Sequence, residues 1–349
     1  MMFYIMSTLF FREMNTLDLD VKAFKEITLG ADRVTEDING FNFHRFTCQQ
    51  EELYKKTNID FYKKALSTSG IMLSFKTDSD NLYMDVLVEP GSSRLYFSFD
   101  VFVNGNLLDS LKNFTDTDMV GNYVGKSLPL GEFSKNFVLG TGMKEVCIYL
   151  PWSVKAVIKK LTLDDNSTII PIKHSRKLLC FGDSITQGYD ALYPSNKYTS
   201  QLAKFLNAEE HNKAIGGEIF FPQLAALKEN FVPDYITVAY GTNDWSRCKE
   251  SDFIDNCYVF FKNINTSYPN ARVFVFTPIW RKNHNDITQF GSFDNVEKHI
   301  RNIVKEYDNM VVIQGINFVE HKETLFADLC LHPNDEGFKQ YFNSVMSKF

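Results

Sequence analysis

The rhythm of hydrophobic positions changes near residue 172. Beyond that point, short apolar runs alternate with stripes at helical spacing. Lys177-Leu-Leu-Cys-Phe181, Tyr235-Ile-Thr-Val-Ala-Tyr240, Arg272-Val-Phe-Val-Phe276 and Met310-Val-Val-Ile313 read as strands. They are near-continuously apolar, as strands buried on both faces are. Between and after them, helices are predicted over Tyr198 to Leu206, on Phe253, Ile254, Cys257, Phe260, Phe261 and Ile264, on Phe293, Val296, Ile300, Ile303, Val304 and Tyr307, and on Phe338, Tyr341, Phe342 and Val345. Buried strands alternating with amphipathic helices predict an α/β domain with a parallel, doubly wound sheet. Ligands of such sheets bind at the carboxyl ends of the strands.

Before residue 172 the texture is short strands and turns. Ile71 to Thr77, Leu82 to Val88, Arg94 to Val103, Glu145 to Leu150, Leu161 to Leu163 and Thr168 to Ile170 are strand-like, and Asn104-Gly105 is a strong hairpin signal. Only Gln49 to Ser67 reads as helix. This half is expected to form an antiparallel, jelly-roll-like β-sandwich, which divides the chain into a β-rich accessory domain (1–172) and an α/β domain (173–349). Met1 to Phe11 is apolar, but it has no basic start and no small-residue cleavage site, and it falls short of the ~20 residues a membrane span needs. It is expected to be a strand or an irregular start, with Met14 as an alternative first residue.

Composition narrows the function classes. The chain has 349 residues, 44% hydrophobic and 23% charged, the balance of a globular protein, with a net charge of -6. That charge argues against nucleic acid or an anionic membrane as partner and leaves a neutral or sugar-like substrate open. The cysteines, Cys48, Cys147, Cys180, Cys248, Cys257 and Cys330, are scattered and mostly sit in apolar runs. They are expected to be buried free thiols, which suits a reducing, cytoplasmic setting. No HExxH, EF-hand loop, His/Cys cluster, Walker loop or GxGxxG occurs, so no metal or cofactor is expected.

Four segments at predicted strand ends carry the candidate chemistry. In Gly182-Asp-Ser-Ile-Thr186, a serine opening a helix exposes its hydroxyl at the sheet edge; alone, this is equally a helix cap. In Asn212-Lys-Ala-Ile-Gly-Gly217, a glycine allows close backbone approach, so its N–H can bind a developing oxyanion; alone, it is a turn. In Tyr240-Gly-Thr-Asn-Asp244, an asparagine amide donates without bringing a charge; alone, it is an Asn-Asp turn. In Asp328-Leu-Cys-Leu-His-Pro-Asn-Asp335, a histidine can take and return a proton, with Pro333 stiffening the turn and Asp335 expected to cap the following helix.

Together and in this order, these segments resemble the four consensus blocks of the SGNH (GDSL-like) hydrolase superfamily, within roughly residues 175 to 349. The resemblance assigns the serine, glycine, asparagine and histidine to Ser184, Gly217, Asn243 and His332. It implies a flavodoxin-like α/β/α domain that cleaves esters or thioesters through an acyl-serine, without a cofactor. It also implies an oxyanion hole of the Ser184 and Gly217 N–H groups and the Asn243 amide. The spacing Asn-x-x-x-x-Gly from Asn212 selects Gly217 over Gly216. The chain departs from the family in one place: the acid usually stands three residues before the histidine, where this chain has Leu329. Asp328, four before, is the leading candidate to orient His332, and a backbone carbonyl is the alternative. Asp183 and Asp244 are expected to stabilise their own loops.

A β-rich half followed by an SGNH half resembles the two-domain carbohydrate esterases that deacetylate polysaccharides. Tyr149-Leu-Pro-Trp152, Gly241-Thr-Asn-Asp-Trp245 and Thr277-Pro-Ile-Trp280 echo that subgroup. Trp245 either flanks a sugar ring or packs its loop, and Trp280, Arg281 and Tyr189 are further rim candidates. The leading expectation is an esterase of short acyl groups on carbohydrate. The alternatives are a lipase- or thioesterase-like enzyme for longer chains, and an inactive carbohydrate-binding protein.

Overall fold

The computed structural model describes residues 16–349; the expectations for Met1 to Phe11 and Met14 lie outside the described residues. The second half is built on five parallel strands. In spatial order they are Ala208–Asn212, Arg176–Gly182, Tyr235–Ala239, Arg272–Phe276 and Met310–Ile313. Numbered along the chain this is 2-1-3-4-5, the doubly wound order that reverses direction after the first strand.

Side-chain alternation explains the layers. Leu179, Phe181, Ile236, Val238, Val273 and Val275 face one way, onto the helices Glu250–Ser267 and Asp294–Val304. Leu178, Cys180, Phe274 and Phe276 face the other way, towards Tyr198–Leu206 and Asp335–Met346. With both faces covered, a polar side chain in these strands is costly without a partner, hence their largely apolar runs, broken in Tyr235–Ala239 only by the small Thr237.

The strand Ala208–Asn212 was not expected, because its sequence Ala-Glu-Glu-His-Asn has no apolar run. Its acids are satisfied by neighbours. Glu210 is buried against Lys197 Nζ (3.0 Å) and Ser200 Oγ (2.8 Å), and Glu209 lies 3.1 Å from Lys177 Nζ.

The first half holds two antiparallel sheets. One runs Arg33–Asp37, Gly40–His44, Val154–Asp164, Asn81–Pro90, Gly131–Val138, and the other Ile170–Pro171, Met72–Thr77, Lys144–Tyr149, Ser98–Val103, Asn106–Lys112. Residues from both sheets share one core, among them Phe43, Val86 and Ile158 from the first and Phe75, Val101 and Ile148 from the second. Asn104 and Gly105 take positive φ (49° and 80°) and close the expected hairpin.

Two differences bear on the site. The strand expected from Arg94 begins only at Ser98, which leaves Arg94 in a loop over the carboxyl ends of the parallel strands. The expected helix at 49–67 is two, Cys48–Thr57 and Ile59–Ala65, broken at Asn58, which caps both. Phe46, Tyr54 and Ala65 join the core of the parallel sheet, so these helices lie on the second half of the chain. Cys180 and Cys257 are buried as expected, whereas Cys48 is exposed and the others are half-buried; all six are free.

Among the described residues, no helix is long and apolar enough to cross a membrane.

Candidate active site

The strand Arg176–Gly182 delivers Ser184 to the sheet edge. Asp183 accepts from the Ile185 N–H (3.0 Å) and caps the single turn Ser184–Gln187, so Ser184 is the first helical residue. A helix this short adds little dipole; what matters is that the first-turn N–H groups lack helical partners.

The loop 325–334 carries the histidine. Ala327 N–H donates to the His332 carbonyl (2.8 Å) and Asn334 N–H to Leu325 O (2.9 Å), which pins both ends. His332 Nε2 lies 2.9 Å from Ser184 Oγ, and its Nδ1 lies 2.7 Å from Asp328 Oδ2. The added residue is absorbed by Leu329, which takes φ +57°. That turn lets Asp328 Oδ1 accept from the N–H groups of Cys330 (2.9 Å), Leu331 (2.7 Å) and His332 (3.1 Å). Burial raises the Asp328 pKa, but the His332 hydrogen bond and charge and the backbone donors outweigh it and hold the carboxyl well below the usual range. With a carboxylate on Nδ1, the imidazole carries its proton there and offers Nε2 as acceptor to the serine.

The segment after Asn212 is clamped from several sides. Arg45, buried, donates to the carbonyls of Asn212 (2.9 Å) and Ala214 (2.8 Å). Gly216 N–H donates to Gln187 Oε1 (2.7 Å), and the Tyr189 ring packs so closely that a Cβ at 216 would stand 2.5 Å from it. Gly217 has φ +88°, a conformation that favours glycine, and its N–H has no acceptor among the described residues. Asn243, on the helix Thr242–Arg247, uses one amide proton on Glu218 O (2.9 Å) and retains the other. Asp244 accepts from Phe220 N–H (3.1 Å), holding its loop as expected.

Ser184, Gly217, Asn243 and His332 line one cleft of about 200 Å³ with Lys64, Ser93, Arg94, Tyr189, Arg247 and Leu331. Of the rim candidates, only Tyr189 is there. Trp245 is fully buried; its indole N–H donates to Gly291 O (3.0 Å), so it packs its loop and offers no face to a sugar. Trp280 stacks on His321 (5.4 Å) beside Phe326, and Arg281 is spent on Thr242 (3.1 Å), both outside the cleft lining. Asp335 does not cap the last helix; Asn334 does, and Asp335 instead accepts from Leu192 N–H (2.9 Å).

Sequence reasoning missed Asp190, Arg94, Lys64 and Arg247. Asp190 is buried at φ +74°, with Oδ2 3.4 Å from His332 Nδ1. Arg94 grips it with Nε (2.6 Å) and Nη2 (3.0 Å), and the Tyr96 hydroxyl also donates to it. Asp190, Asp328 and His332 bring ligand atoms within 4.8 Å of one another, a metal-like grouping. They do not fit an ion well, since the Arg94 guanidinium already balances Asp190 and His332 Nδ1 already holds Asp328. Only long-range pairing brings these residues together, so no local motif could have revealed them.

Behind the oxyanion side lie three buried acids. Burial pushes Glu218 up to about 8, Asp244 to about 7 and Asp183 to about 6, although the Tyr54 and Tyr240 hydroxyls donate to Glu218 at 2.7 Å each. A carboxyl whose folded pKa is raised stabilises fully below its unfolded value, ~4.3 for Glu, and that stability is lost as pH rises through the folded value. Thermal stability is therefore expected to fall from about pH 5 to about pH 8. Glu218→Gln should raise Tm relative to the parent more at the alkaline end than at the acid end. An equal effect at both ends would show that Glu218 does not titrate in this window.

The fold and the cleft define a serine hydrolase of the SGNH type. Residues 180–340 match the GDSL-like Lipase/Acylhydrolase family, and Ser184, Gly217, Asn243 and His332 all lie within that match. Solved structures resemble the chain over nearly its whole length. A salicylyl-acyltransferase, SsfX3, from a tetracycline biosynthetic pathway superposes with TM-score 0.78 at 18% identity, covering 95% of this chain and 96% of that one. A family two carbohydrate esterase from Clostridium thermocellum, in complex with cellohexaose, gives 0.63 at 14% identity, covering 92% and 97%. One from Cellvibrio japonicus gives 0.64 at 15%, covering 96% and 97%. At such identities the likeness speaks for the fold. No curated protein matches the chain. The enzyme is an SGNH-type serine esterase.

Proposed function

We propose that this esterase removes short acyl groups, acetyl foremost, from carbohydrate esters, with Ser184 as nucleophile, His332 as base and acid, and Asp328 as the acid that orients the imidazole. The observation that carries the roles is the continuous relay Ser184 Oγ, His332 Nε2, His332 Nδ1, Asp328 Oδ2, with links of 2.9 and 2.7 Å. Ser184 Oγ attacks the ester carbonyl as its proton passes to His332 Nε2. The oxyanion is received by the Ser184 and Gly217 N–H groups and the free Asn243 amide proton; Gly216 is unsuited because Gln187 already takes its N–H. His332 then protonates the departing alcohol, and water, activated by the same nitrogen, releases the acid.

The cleft supports a short acyl group. It is small, and its lining is polar apart from Tyr189 and the carbons of Leu331, so a long chain would find no apolar channel. Carbohydrate as the alcohol is favoured by the full-length likeness to carbohydrate esterases, one of them in complex with cellohexaose. We read residues 1–172 as a jelly-roll-like accessory domain and 173–349 as the hydrolase domain. Lys64, Ser93 and Arg94 reach the cleft from the former, which favours a rim-shaping role over independent glycan binding. The six free cysteines suit a reducing, cytoplasmic setting.

The test is a series of p-nitrophenyl esters from acetate to palmitate. Activity should peak at the shortest acyl groups and decline with length. Activity that rises with length would favour the lipase- or thioesterase-like alternative. Glycan binding with no serine labelling by a fluorophosphonate would favour the inactive binding protein.

A further inference from the structure

We propose that the ester cleaved at Ser184 carries an anionic group, a carboxylate, held by Lys64 and Arg247 beside Gly217. The proposal rests on the esterase reading above and names the substrate class of the same cleft. Lys64 Nζ donates to Gly216 O (2.6 Å) and Arg247 Nη1 to Gly217 O (2.7 Å). The two side chains come from distant parts of the chain, the helix Ile59–Ala65 and the end of Thr242–Arg247, yet they converge. The point where a Gly217 Cβ would stand is 3.4 Å from Arg247 Nη1, 3.8 Å from Nη2 and 3.7 Å from Lys64 Nζ.

Neither cation has a carboxylate within salt-bridge distance among the described residues; Asp60, on the same helix as Lys64, lies 3.8 Å from Lys63 instead. Each spends one donor on a carbonyl and keeps the rest, two on Lys64 and four on Arg247. Lys64 is half-buried, and burial first, then the charge of Arg247, disfavours its protonated form. Arg247 is exposed, and Asp60 and Glu218 act on Lys64 only through space. An anion entering between the two like charges relieves their repulsion.

The other charges of the cleft do not supply that anion. Arg94 is neutralised by Asp190, and Asp328 is occupied by His332 and three backbone N–H groups. The cleft is thus cationic in a chain of net charge -6. A carboxylate accepts from a guanidinium and an ammonium together, whereas a neutral sugar hydroxyl leaves their charges to the solvent.

The experiment compares matched esters. Para-acetoxybenzoate against its methyl ester places the charge on the alcohol side, and monophenyl adipate against phenyl hexanoate places it on the acyl side. The enzyme should prefer the anionic member of at least one pair by about tenfold in kcat/KM, mainly through KM, the scale of a charged hydrogen bond. That preference should shrink at high salt and in Lys64→Met or Arg247→Met, and survive in Lys64→Arg. No preference for the anion in either pair overturns the proposal. A stronger preference for para-acetoxybenzenesulfonate would overturn the carboxylate assignment.

Calorimetry on Ser184→Ala protein separates the two readings, since it needs no turnover. Para-hydroxybenzoate or adipate should bind where their methyl esters do not, and Lys64→Met added to that protein should abolish the difference. Equal binding of acids and esters overturns the proposal even if the enzyme proves an active esterase.

Discussion

Ser184→Ala is expected to lower kcat by roughly five to six orders of magnitude, leaving the residual turnover of an oxyanion site acting on bound water. Among the described residues the hydroxyl is the one group within hydrogen-bond reach of His332 Nε2 (2.9 Å), so on the proposed roles its removal leaves the base without a nucleophile to activate. The fold should be indifferent to the change. Asp183, not Ser184, caps the turn, and the lost oxygen faces the cleft. Tm should therefore stay close to that of the parent, within the range of ordinary surface changes. Turnover of p-nitrophenyl acetate and labelling by a fluorophosphonate should disappear together. Activity within tenfold of the parent would rule out Ser184 as the nucleophile.

Asp328→Asn is expected to cost roughly 10³–10⁴ in kcat with little change in KM. Asparagine is more informative than alanine here. Oδ1 of Asp328 gathers three backbone N–H groups, and an asparagine oxygen can keep them, so the loop survives. The amide nitrogen, however, would present a donor to His332 Nδ1 in place of an acceptor. That drives the imidazole proton to Nε2, where it can no longer accept from Ser184. Asp190 provides the competing outcome, since its Oδ2 stands 3.4 Å from the same nitrogen. Its oxygens are tied to Arg94 Nε and Nη2 and to the Tyr96 hydroxyl, which restrains it from moving closer. A loss below tenfold in Asp328→Asn would transfer the orienting role to Asp190.

Much of the α/β half was legible because both faces of its sheet are covered. Leu178 to Phe181, Val273 to Phe276 and, but for Thr237, Tyr235 to Ala239 are apolar for that reason, and the strands fall where those runs stand. The strand Ala208–Asn212 was invisible for the opposite reason. Its acids, Glu210 buried and Glu209 half-buried, are balanced by Lys197 and Lys177, and partners of that kind are a property of three-dimensional neighbours. Trp245 shows the same limit. Its place after Asn243 made a sugar platform and a packing role equally plausible, and only the Gly291 hydrogen bond and full burial decide for packing.

By itself the sequence determined the order and type of most elements around the parallel sheet, the strand Ala208–Asn212 excepted, and which four segments carry the candidate chemistry, because periodicity and local turn chemistry are short-range properties. The tertiary structure decided the rest of the site. It brought Asp328 to His332 through the left-handed turn at Leu329, set Asp190 behind them in the grip of Arg94, and converged Lys64 and Arg247 on Gly217. Those pairings join residues 30 to more than a hundred positions apart, or depend on one backbone angle. Their energies arise only when the chain has closed on itself.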